Sequence, residues 1–290
     1  MLYILYSLNT VLMIGLPIAL GVFLTRRFKL GWGLWWVGAA TFILSQVVHL
    51  PLLWGLTAAF KSGALPNPPE AWTPWFNAVV LGLAAGVCEE VARYLVLRFW
   101  IKSARSGQEV LVFGAGHGGI EAILLGALAG YTTIQLFALQ NTDLSALHLS
   151  AEQLTALQQQ LAAFTTAPWY ATLLGALERI FALCIHLSAT VLVWQAFRRN
   201  NLLWLGAAIL WHAVVDGASV MAVSAWGPYG TEALVAGFAA AGLLMVWVLK
   251  PYRDVPAAEP VTLLPSTAPA RPANPAADLK EKLDDSRFNS

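Results

Sequence analysis

Charged residues are scarce in this sequence. They make up 11% of its 290 residues, whereas 58% of the residues are hydrophobic. A typical soluble domain contains about 25% charged residues. So little charge cannot cover the surface of a soluble protein, which predicts an integral membrane protein. The formal net charge is +1, so no electrostatic interaction with nucleic acid is expected.

Cysteines and N-terminal processing signals are also sparse. The two cysteines, Cys88 and Cys184, lie in apolar segments and show neither the spacing of a metal site nor an evident disulfide partnership. The first apolar run lacks a charged region before it and a small-residue cleavage site after it. We therefore expect residues 2–24 to be a retained first membrane span and not a signal peptide.

Long apolar runs dominate the rest of the chain, and each is long enough to cross about 30 Å of hydrocarbon. They lie near residues 2–24, 32–57, 76–100, 109–139, 169–197, 201–225 and 229–250. The predicted fold is all-α, a polytopic membrane protein with about seven transmembrane helices within residues 1–253. Residues 254–290 are rich in Pro and Ala and end in a charged stretch, which predicts a disordered cytoplasmic tail.

The basic residues between the runs predict the orientation in the membrane. Lys and Arg follow the first, third, fifth and seventh runs, whereas the opposite loops contain only Lys61. Loops rich in Lys and Arg face the cytoplasm, so we expect the N-terminus outside and the C-terminus inside. Between the fourth and fifth runs, Ser150 and Gln153 form a capping-box pattern. This pattern predicts a short amphipathic helix on the outer surface.

Ionisable residues inside four of these runs share one depth, although each costs roughly 3 kcal/mol or more at the bilayer centre. Depth was counted from the predicted cytoplasmic helix ends at about 1.5 Å per residue. It is roughly 15 Å for Glu89 and Glu90, roughly 12 Å for His117, and roughly 16 Å for His186 and His212. The agreement predicts that these side chains meet in one site; the alternative is coincidence.

Helical spacing gives most of these residues a partner on the same helix face. The predicted pairs are Glu89 with Arg93, Glu90 with Arg93, His117 with Glu121, and His212 with Asp216. Two carboxylates against one cation leave an acidic surplus, which suits general acid and base chemistry. The alternative is a structural ion pair between helices. Each histidine is, in turn, either functional or a satisfied core residue.

Two neighbouring motifs are open to more than one interpretation. The glycines around His117 in FGAGHGGIEA either mark close helix packing or leave a water-accessible hollow beside the ring. His186 lies about two turns after Glu178 and Arg179, which fall near the predicted outer leaflet. We expect Glu178 and Arg179 to be structural or gating residues, and His186 to support the site.

Three motifs on separate helices together resemble the glutamic intramembrane protease superfamily. They are EEVAR at residues 89–93, FGAGH at residues 113–117 and HAVVD at residues 212–216. That superfamily includes the CAAX prenyl endopeptidases and bacteriocin-processing enzymes (CPBP) and the PrsW proteases. The segments VVHLP, GHGGIEA and ERIFALCIH make the chain look most like its YhfC branch. The resemblance covers the second to sixth runs and implies an intramembrane endopeptidase.

The resemblance also implies roles for single residues. Glu89 with His117 would activate water, and His212 would stabilise the oxyanion. The predicted catalytic residues are Glu89, Glu90, His117 and His212, and the supporting residues are Arg93, Glu121, Asp216 and His186. Arg93 stands one residue closer to the glutamates than in the EExxxR pattern, which argues against prenylated substrates. Asp216 stands where Asn is common, and an ionised carboxylate donates no hydrogen bond.

Two other functions are compatible with the same residues. In one, a metal fills the pocket with ligands drawn from His117, His212, Glu121 or Asp216, although the HExxH signature is missing. In the other, the chain is a transporter, a membrane chaperone or another non-proteolytic binding protein, since these also bury ionisable residues. The main expectation involves no metal or cofactor. It involves a membrane protein or peptide substrate in the lipid bilayer of a bacterial or archaeal plasma membrane.

The shared depth also predicts one polar cavity. The third to sixth runs should enclose it, and it should open towards the cytoplasmic half of the membrane. Within it, Glu89 or Glu90 should lie within about 8 Å of both His117 and His212, a distance that one or two waters bridge. A histidine that faced lipid instead would exclude this site.

Reporter fusions test the predicted topology. A fusion after residue 65 should report an external location and a fusion after residue 255 a cytoplasmic one, because basic loops stay inside. The measurement is the activity of reporters that work only outside or only inside the cell. The reverse result at both positions would overturn the orientation.

Overall fold

The computed structural model describes residues 2–102, 106–140 and 142–254. None of these residues forms a strand, so the all-α prediction is confirmed. The helices are α1 (Leu2–Phe28), α2 (Gly33–Lys61), α3 (Thr73–Leu95), α4 (Gly107–Leu139), α5 (Ala151–Thr166), α6 (Leu174–Arg198) and α7 (Leu203–Leu249). A π-helical turn over Val96–Trp100 extends α3. The predicted tail from residue 255 onward lies outside the described residues.

Five helical segments of the described residues are long and apolar enough to cross a membrane, as expected for an integral membrane protein. They are α1, α2, α4, the segment Ala171–Arg198 that contains α6, and the segment Leu203–Arg253 that contains α7. α3 is not among them, because Glu89, Glu90 and Arg93 interrupt its apolar sequence. The count of seven spans and the orientation of the termini therefore stay predictions.

α7 is one element of 47 residues that folds back on itself. A straight helix of this length, at about 1.5 Å per residue, would measure about 70 Å and far exceed the hydrocarbon thickness. Gly227 adopts φ 68° and ψ −175°, a conformation almost restricted to glycine, and Pro228 follows it. Ala208 lies in one core cluster with Met245 and Leu249. The two halves of α7 therefore run antiparallel and coincide with the sixth and seventh apolar runs.

Glycines allow the backbones of α2 and α4 to touch. A Cβ atom on Gly38 would lie 2.0 Å from the carbonyl oxygen of Phe113. A Cβ atom on Gly116 would lie 1.9 Å from the carbonyl oxygen of Trp35. Neither position accepts a side chain without separating the helices, so these glycines set the distance between α2 and α4.

The same kind of contact joins α3 to α7 beside the charged residues. A Cβ atom on Gly86 would lie 2.7 Å from the carbonyl oxygen of Ile209. The two helices run antiparallel here, because Gly82 lies against Ala213 in the same way that Gly86 lies against Ile209. The close backbone contact lets the Glu90 side chain on α3 reach His212 on α7.

The glycines next to His117 have a packing role as well. A Cβ atom on Gly118 would lie 2.8 Å from the ring of His186, and one on Gly114 would lie 2.8 Å from the Thr190 hydroxyl. His117 itself is fully buried. Of the two interpretations of FGAGHGGIEA, the structure supports close helix packing between α4 and α6 and not a hollow beside the ring.

An apolar core fills the end of the bundle where α4 begins and α6 ends. Its largest cluster consists of Val96, Leu97, Phe113, Leu192, Val193 and Ala208. Trp204, Met245 and Leu249 pack against this cluster. The sequence predicts this end to be cytoplasmic, so the charged residues at the bundle centre are closed off on that side.

Capping boxes begin two of the helices. At α4, the Glu109 backbone N–H donates to the Ser106 hydroxyl, and the Ser106 backbone N–H donates to the Glu109 carboxylate at 3.0 Å. Ser150 and Gln153 make the same reciprocal exchange at the start of α5. The predicted capping box and the helix that it begins are therefore confirmed, while the position of α5 on the outer surface stays a prediction.

Replacement of Gly116 by Ala tests the contact between α2 and α4. The added Cβ atom would overlap the Trp35 carbonyl, and overpacking of this kind typically costs about 1–3 kcal/mol. We therefore expect Gly116→Ala to lower the melting temperature in detergent. Gly237→Ala is the matched control, because a Cβ atom at that position on α7 meets nothing within 4 Å. Equal melting temperatures for the two variants would contradict close packing at Gly116.

Candidate active site

A buried polar cluster lies where α3, α4, α6 and α7 meet. It contains six residues that are each 5% exposed or less: Glu89, Glu90, Arg93, His117, His186 and His212. All six are among the site residues that the sequence predicts. The structure brings these side chains together, while their catalytic and supporting roles stay predictions.

Arg93 lies at the centre of this cluster and is fully buried. Its Nη1 atom forms an ion pair with Glu90, and its Nη2 atom lies 3.6 Å from Glu89 Oε2. Nη2 also lies 2.6 Å from His186 Nδ1 on α6. The two pairs predicted within α3 are therefore present. The same guanidinium also connects α3 to α6.

Glu89 links α3 to two other helices. Its Oε2 atom lies 3.1 Å from His117 Nε2 on α4 and 4.0 Å from His212 Nε2 on α7. Both distances are well below the limit of about 8 Å that allows for bridging water. His117 Nδ1 is buried and has no hydrogen-bond partner. Glu89 and the histidines are therefore close enough to act on one small group.

His212 contacts a carboxylate at each ring nitrogen. Its Nδ1 atom lies 2.6 Å from Glu90 Oε1, and its Nε2 atom lies 3.5 Å from Asp216 Oδ2. The side chain of Asp216 is 41% exposed, whereas that of Glu90 is fully buried. The predicted pair of His212 with Asp216 is present, and Glu90 holds the opposite side of the ring. Contacts at both nitrogens fix the orientation of the imidazole.

The predicted pair of His117 with Glu121 does not form. Glu121 Oε2 lies 2.6 Å from His186 Nε2, and Glu121 Oε1 accepts a hydrogen bond of 2.9 Å from Arg179 Nη1. Helical spacing places Glu121 on the same face as His117, but α6 presents a cation and an imidazole directly to its carboxylate. Glu121 therefore supports His186 and not His117.

Two more residues join the site that the sequence does not assign to it. Gln46 on α2 donates a hydrogen bond of 3.4 Å to Glu89, and its Oε1 atom lies 3.2 Å from His49 Nδ1. Arg179, expected to be structural or gating, binds Glu121 and also pairs with Glu178. Two features of the sequence could have indicated these residues: Gln46 is a polar residue in an apolar run, and Arg179 lies seven residues before His186.

A cavity of about 530 Å³ adjoins the cluster. Glu89, Glu121, Arg179, His186, His212 and Asp216 line its polar part. From there the lining continues along α2, α3, α6 and α7 to Leu53, Leu81, Glu178 and Pro228. These positions lie towards the end of the bundle that holds the turn at Gly227.

The cavity opens at the end of the bundle opposite the one that the sequence predicts to be cytoplasmic, so the predicted opening and the predicted orientation do not both hold. The cavity leads away from the bundle end that the apolar cluster around Phe113 and Leu192 fills. In the predicted orientation, the cavity therefore lies in the outer half of the membrane. α2 and the second half of α7 also contribute to its wall, because α7 folds back at Gly227 and returns alongside α6.

Three of the buried side chains lie close enough together to hold a metal ion. One carboxylate oxygen of Glu89 and one ring nitrogen each of His117 and His186 lie within 4.8 Å of one another. Two imidazoles and one carboxylate form a donor set that catalytic zinc sites use. Both nitrogens of His186 have polar partners, Arg93 and Glu121. Coordination by His186 therefore requires that it exchange one of these contacts, whereas His117 and Glu89 already face each other.

This triad differs from the metal ligands that the sequence suggests. Those candidates were His117, His212, Glu121 and Asp216, and His117 alone belongs to both sets. Glu121 is held by Arg179 and His186, and Asp216 lies at the exposed side of His212. Glu89 replaces them because its carboxylate points between α4 and α7. The donor set and its spacing fit a divalent metal.

The chain is similar to known proteins over most of its length. A family model described as YhfC intramembrane metalloprotease matches residues 12–239. A relative described as "Uncharacterized membrane protein YhfC", from Bacillus subtilis strain 168, is 30% identical over 243 residues. The match covers 82% of this chain and 92% of the relative.

No solved structure matches the chain. The resemblance to the YhfC branch is confirmed, while a relation to the CPBP and PrsW proteases stays a prediction. The region that the family model matches, residues 12–239, contains all six residues of the buried polar cluster. The chain belongs to the YhfC intramembrane metalloprotease family.

Proposed function

We propose that this protein is a metal-dependent intramembrane protease centred on Glu89, His117 and His186. The observation that carries the proposal is the convergence of these three donors within 4.8 Å of one another. Glu89 and His186 also line the cavity, so a substrate can approach the triad. The family description supports the proposal because it names a metalloprotease. The metal alternative thus replaces the glutamate-type mechanism as the main hypothesis.

Glu89, His117 and His186 would hold the metal. A divalent ion in such a site supplies Lewis acidity towards a peptide carbonyl and activates water. The surrounding protein contributes fixed positions for the donors and a low-dielectric wall. Gln46 assists by donating a hydrogen bond to the second oxygen of Glu89, which orients the carboxylate.

His212 and Asp216 would handle the proton that peptide cleavage requires. Glu90 contacts Nδ1 of His212, so Nε2 faces Glu89 and Asp216. A proton at Nε2 can pass to the leaving amine as the peptide bond breaks. Asp216 reaches the cavity and can exchange that proton with water.

Arg93 and Glu121 would position the reacting groups without touching the substrate. Arg93 is fully buried and balances the charges of Glu89 and Glu90. Glu121 would hold the proton of His186 at Nε2, which puts the lone pair on Nδ1; that lone pair would bind the metal in place of its contact with Arg93.

The proposed membrane arrangement rests on the apolar runs and the basic loops of the sequence. Residues 1–253 form the catalytic domain, with seven spans, the N-terminus outside and a cytoplasmic tail, in a bacterial or archaeal plasma membrane. The cavity admits water to a site that the apolar core closes on the other side. The substrate is a membrane protein or a membrane-associated peptide.

A glutamate-type protease is the second candidate. One observation favours it: Glu89 Oε2 lies 3.1 Å from His117 Nε2, a hydrogen-bonded pair that can activate water directly. In that mechanism Glu89 is the general base and not a metal ligand. Metal content separates the two candidates.

Elemental analysis of the purified protein tests the metal proposal. The parent should contain about one divalent metal per chain. His117→Ala and His186→Ala should lower this content about tenfold or more, because each removes a donor. Glu89→Gln weakens the third donor, so it should also lower the metal content and slow the cleavage of co-expressed membrane proteins about tenfold or more. His148→Ala is the matched control, since His148 lies exposed outside the cluster and its loss should change neither value.

Two results would contradict the metal proposal. A parent that cleaves without bound metal and resists chelators would support the glutamate-type candidate instead. A parent that binds metal but cleaves none of its membrane neighbours would support a non-proteolytic binding protein.

Arg93→Ala should destabilise the protein far more than Glu90→Gln. Removal of Arg93 leaves two buried carboxylates without their cation, and breaking a buried pair costs about 3–5 kcal/mol. Glu90→Gln keeps the side-chain shape and removes a buried charge. Thermal unfolding in detergent measures both effects. Arg98→Ala is the control, because Arg98 is exposed one turn further on. Similar losses for Arg93→Ala and Arg98→Ala would contradict a central role for Arg93.

A further inference from the structure

The wall of the 530 Å³ cavity is acidic beyond the proposed metal triad. Apart from Glu89, its carboxylates are Glu121, Glu178, Asp216 and Glu232. Arg179 is its one Lys or Arg residue among the described residues, and His49, His186 and His212 also line it. A concave site lined by one sign of charge and by low-dielectric walls concentrates ligands of the opposite charge. The cavity therefore favours a cationic group.

Arg179 does not balance all of these carboxylates. Its Nη1 atom donates to Glu121 at 2.9 Å, and its Nη2 atom pairs with Glu178. Glu232, on the second half of α7, forms no ion pair within 4.0 Å with any residue that the structure describes. One carboxylate of the cavity wall is therefore left without a cation.

The Oε2 atom of Glu232 is buried and has no hydrogen-bond partner. Its neighbour Thr231 donates its hydroxyl to the Gly227 carbonyl at 2.9 Å, so that hydroxyl is already used. A carboxylate oxygen buried without a partner is costly, and such atoms are rare in native proteins. Glu232 as a whole is half-buried and lines the cavity, so its carboxylate is within reach of a donor on a bound ligand.

We propose that Glu232 binds a Lys or Arg side chain of the peptide substrate. An ammonium or guanidinium group donates charge-assisted hydrogen bonds to a carboxylate, and Glu232 has an oxygen available for one. Leu53, Leu81 and Val220 line the same cavity and suit the apolar neighbours of that basic residue. The substrate class is an apolar membrane-associated segment with one basic residue, entering from the end that holds Gly227. This inference rests on the proposed protease function.

Peptide binding tests the role of Glu232 without catalysis. The probe is a short fluorescent apolar peptide with one central Lys, compared with the same peptide carrying Gln. Binding is measured by fluorescence anisotropy on Glu89→Gln protein in detergent, which does not cleave the probe. We expect the Lys peptide to bind about tenfold or more tightly than the Gln peptide. Introducing Glu232→Gln into the Glu89→Gln protein should remove this preference for the Lys peptide.

The control variant is Glu152→Gln, which removes an exposed carboxylate on α5, outside the cavity. It should leave the Lys preference unchanged. Equal affinity for both peptides, no binding of the Lys peptide, or a preference that survives Glu232→Gln would each overturn the inference. Since no cleavage is measured, loss of metal or of hydrolysis bears on the proposed function, whereas loss of Lys preference bears on Glu232.

If Glu232→Gln does not fold, a chemical cross-link tests the contact between the Lys peptide and Glu232 in protein that keeps Glu232. A carbodiimide joins an amine to a carboxylate in contact with it. Applied to the Lys peptide bound to Glu89→Gln protein, it should couple the peptide to Glu232, as peptide mass spectrometry would show. Coupling to other carboxylates alone, or no coupling, would also overturn the inference.

Discussion

The ion pairs of one fully buried guanidinium hold the polar centre of this protein together. Arg93 contacts Glu89 and Glu90 on its own helix and His186 on α6. Two adjacent carboxylates inside an apolar bundle would repel each other and lose their hydration, so they need a cation at contact distance. With Arg93 in place, Glu89 can face His117 and Glu90 can hold His212. The proposed metal ligands and the proposed proton carrier both depend on this arrangement.

Close helix packing is the second condition for the site. Glutamate and histidine side chains reach only a few ångströms, so their helices must approach until backbones touch. Gly86 permits backbone contact between α3 and α7, and Gly118 on α4 leaves room for the His186 side chain from α6. In lipid, helix association depends on such van der Waals contact, because apolar side chains gain little by leaving an apolar solvent. The residues that flank the site are therefore as important to its geometry as the charged residues.

Access to the site is one-sided. The apolar cluster around Phe113 closes one end of the bundle, and the cavity extends from Glu89 towards the other end. Water and substrate can therefore reach the buried donors along one route. α7 completes this route by folding back at Gly227, which places Glu232 in the cavity wall. A protease that works inside a membrane needs both properties: a site that water can reach, and a barrier that separates this site from the opposite side of the membrane.

The sequence by itself determined the membrane class, the all-α fold and the residues that meet in the polar cluster. Those properties follow from apolar run lengths, from depth along each run and from i, i+3 and i, i+4 spacing, all of which are local. Pairs within one helix, such as Glu90 with Arg93, were predictable for that reason. Only the tertiary structure decided that Glu121 contacts His186, that Gln46 joins Glu89, and that the cavity opens away from the arginine-rich end. Such contacts depend on the rotation and approach of neighbouring helices, which spacing along one helix does not specify.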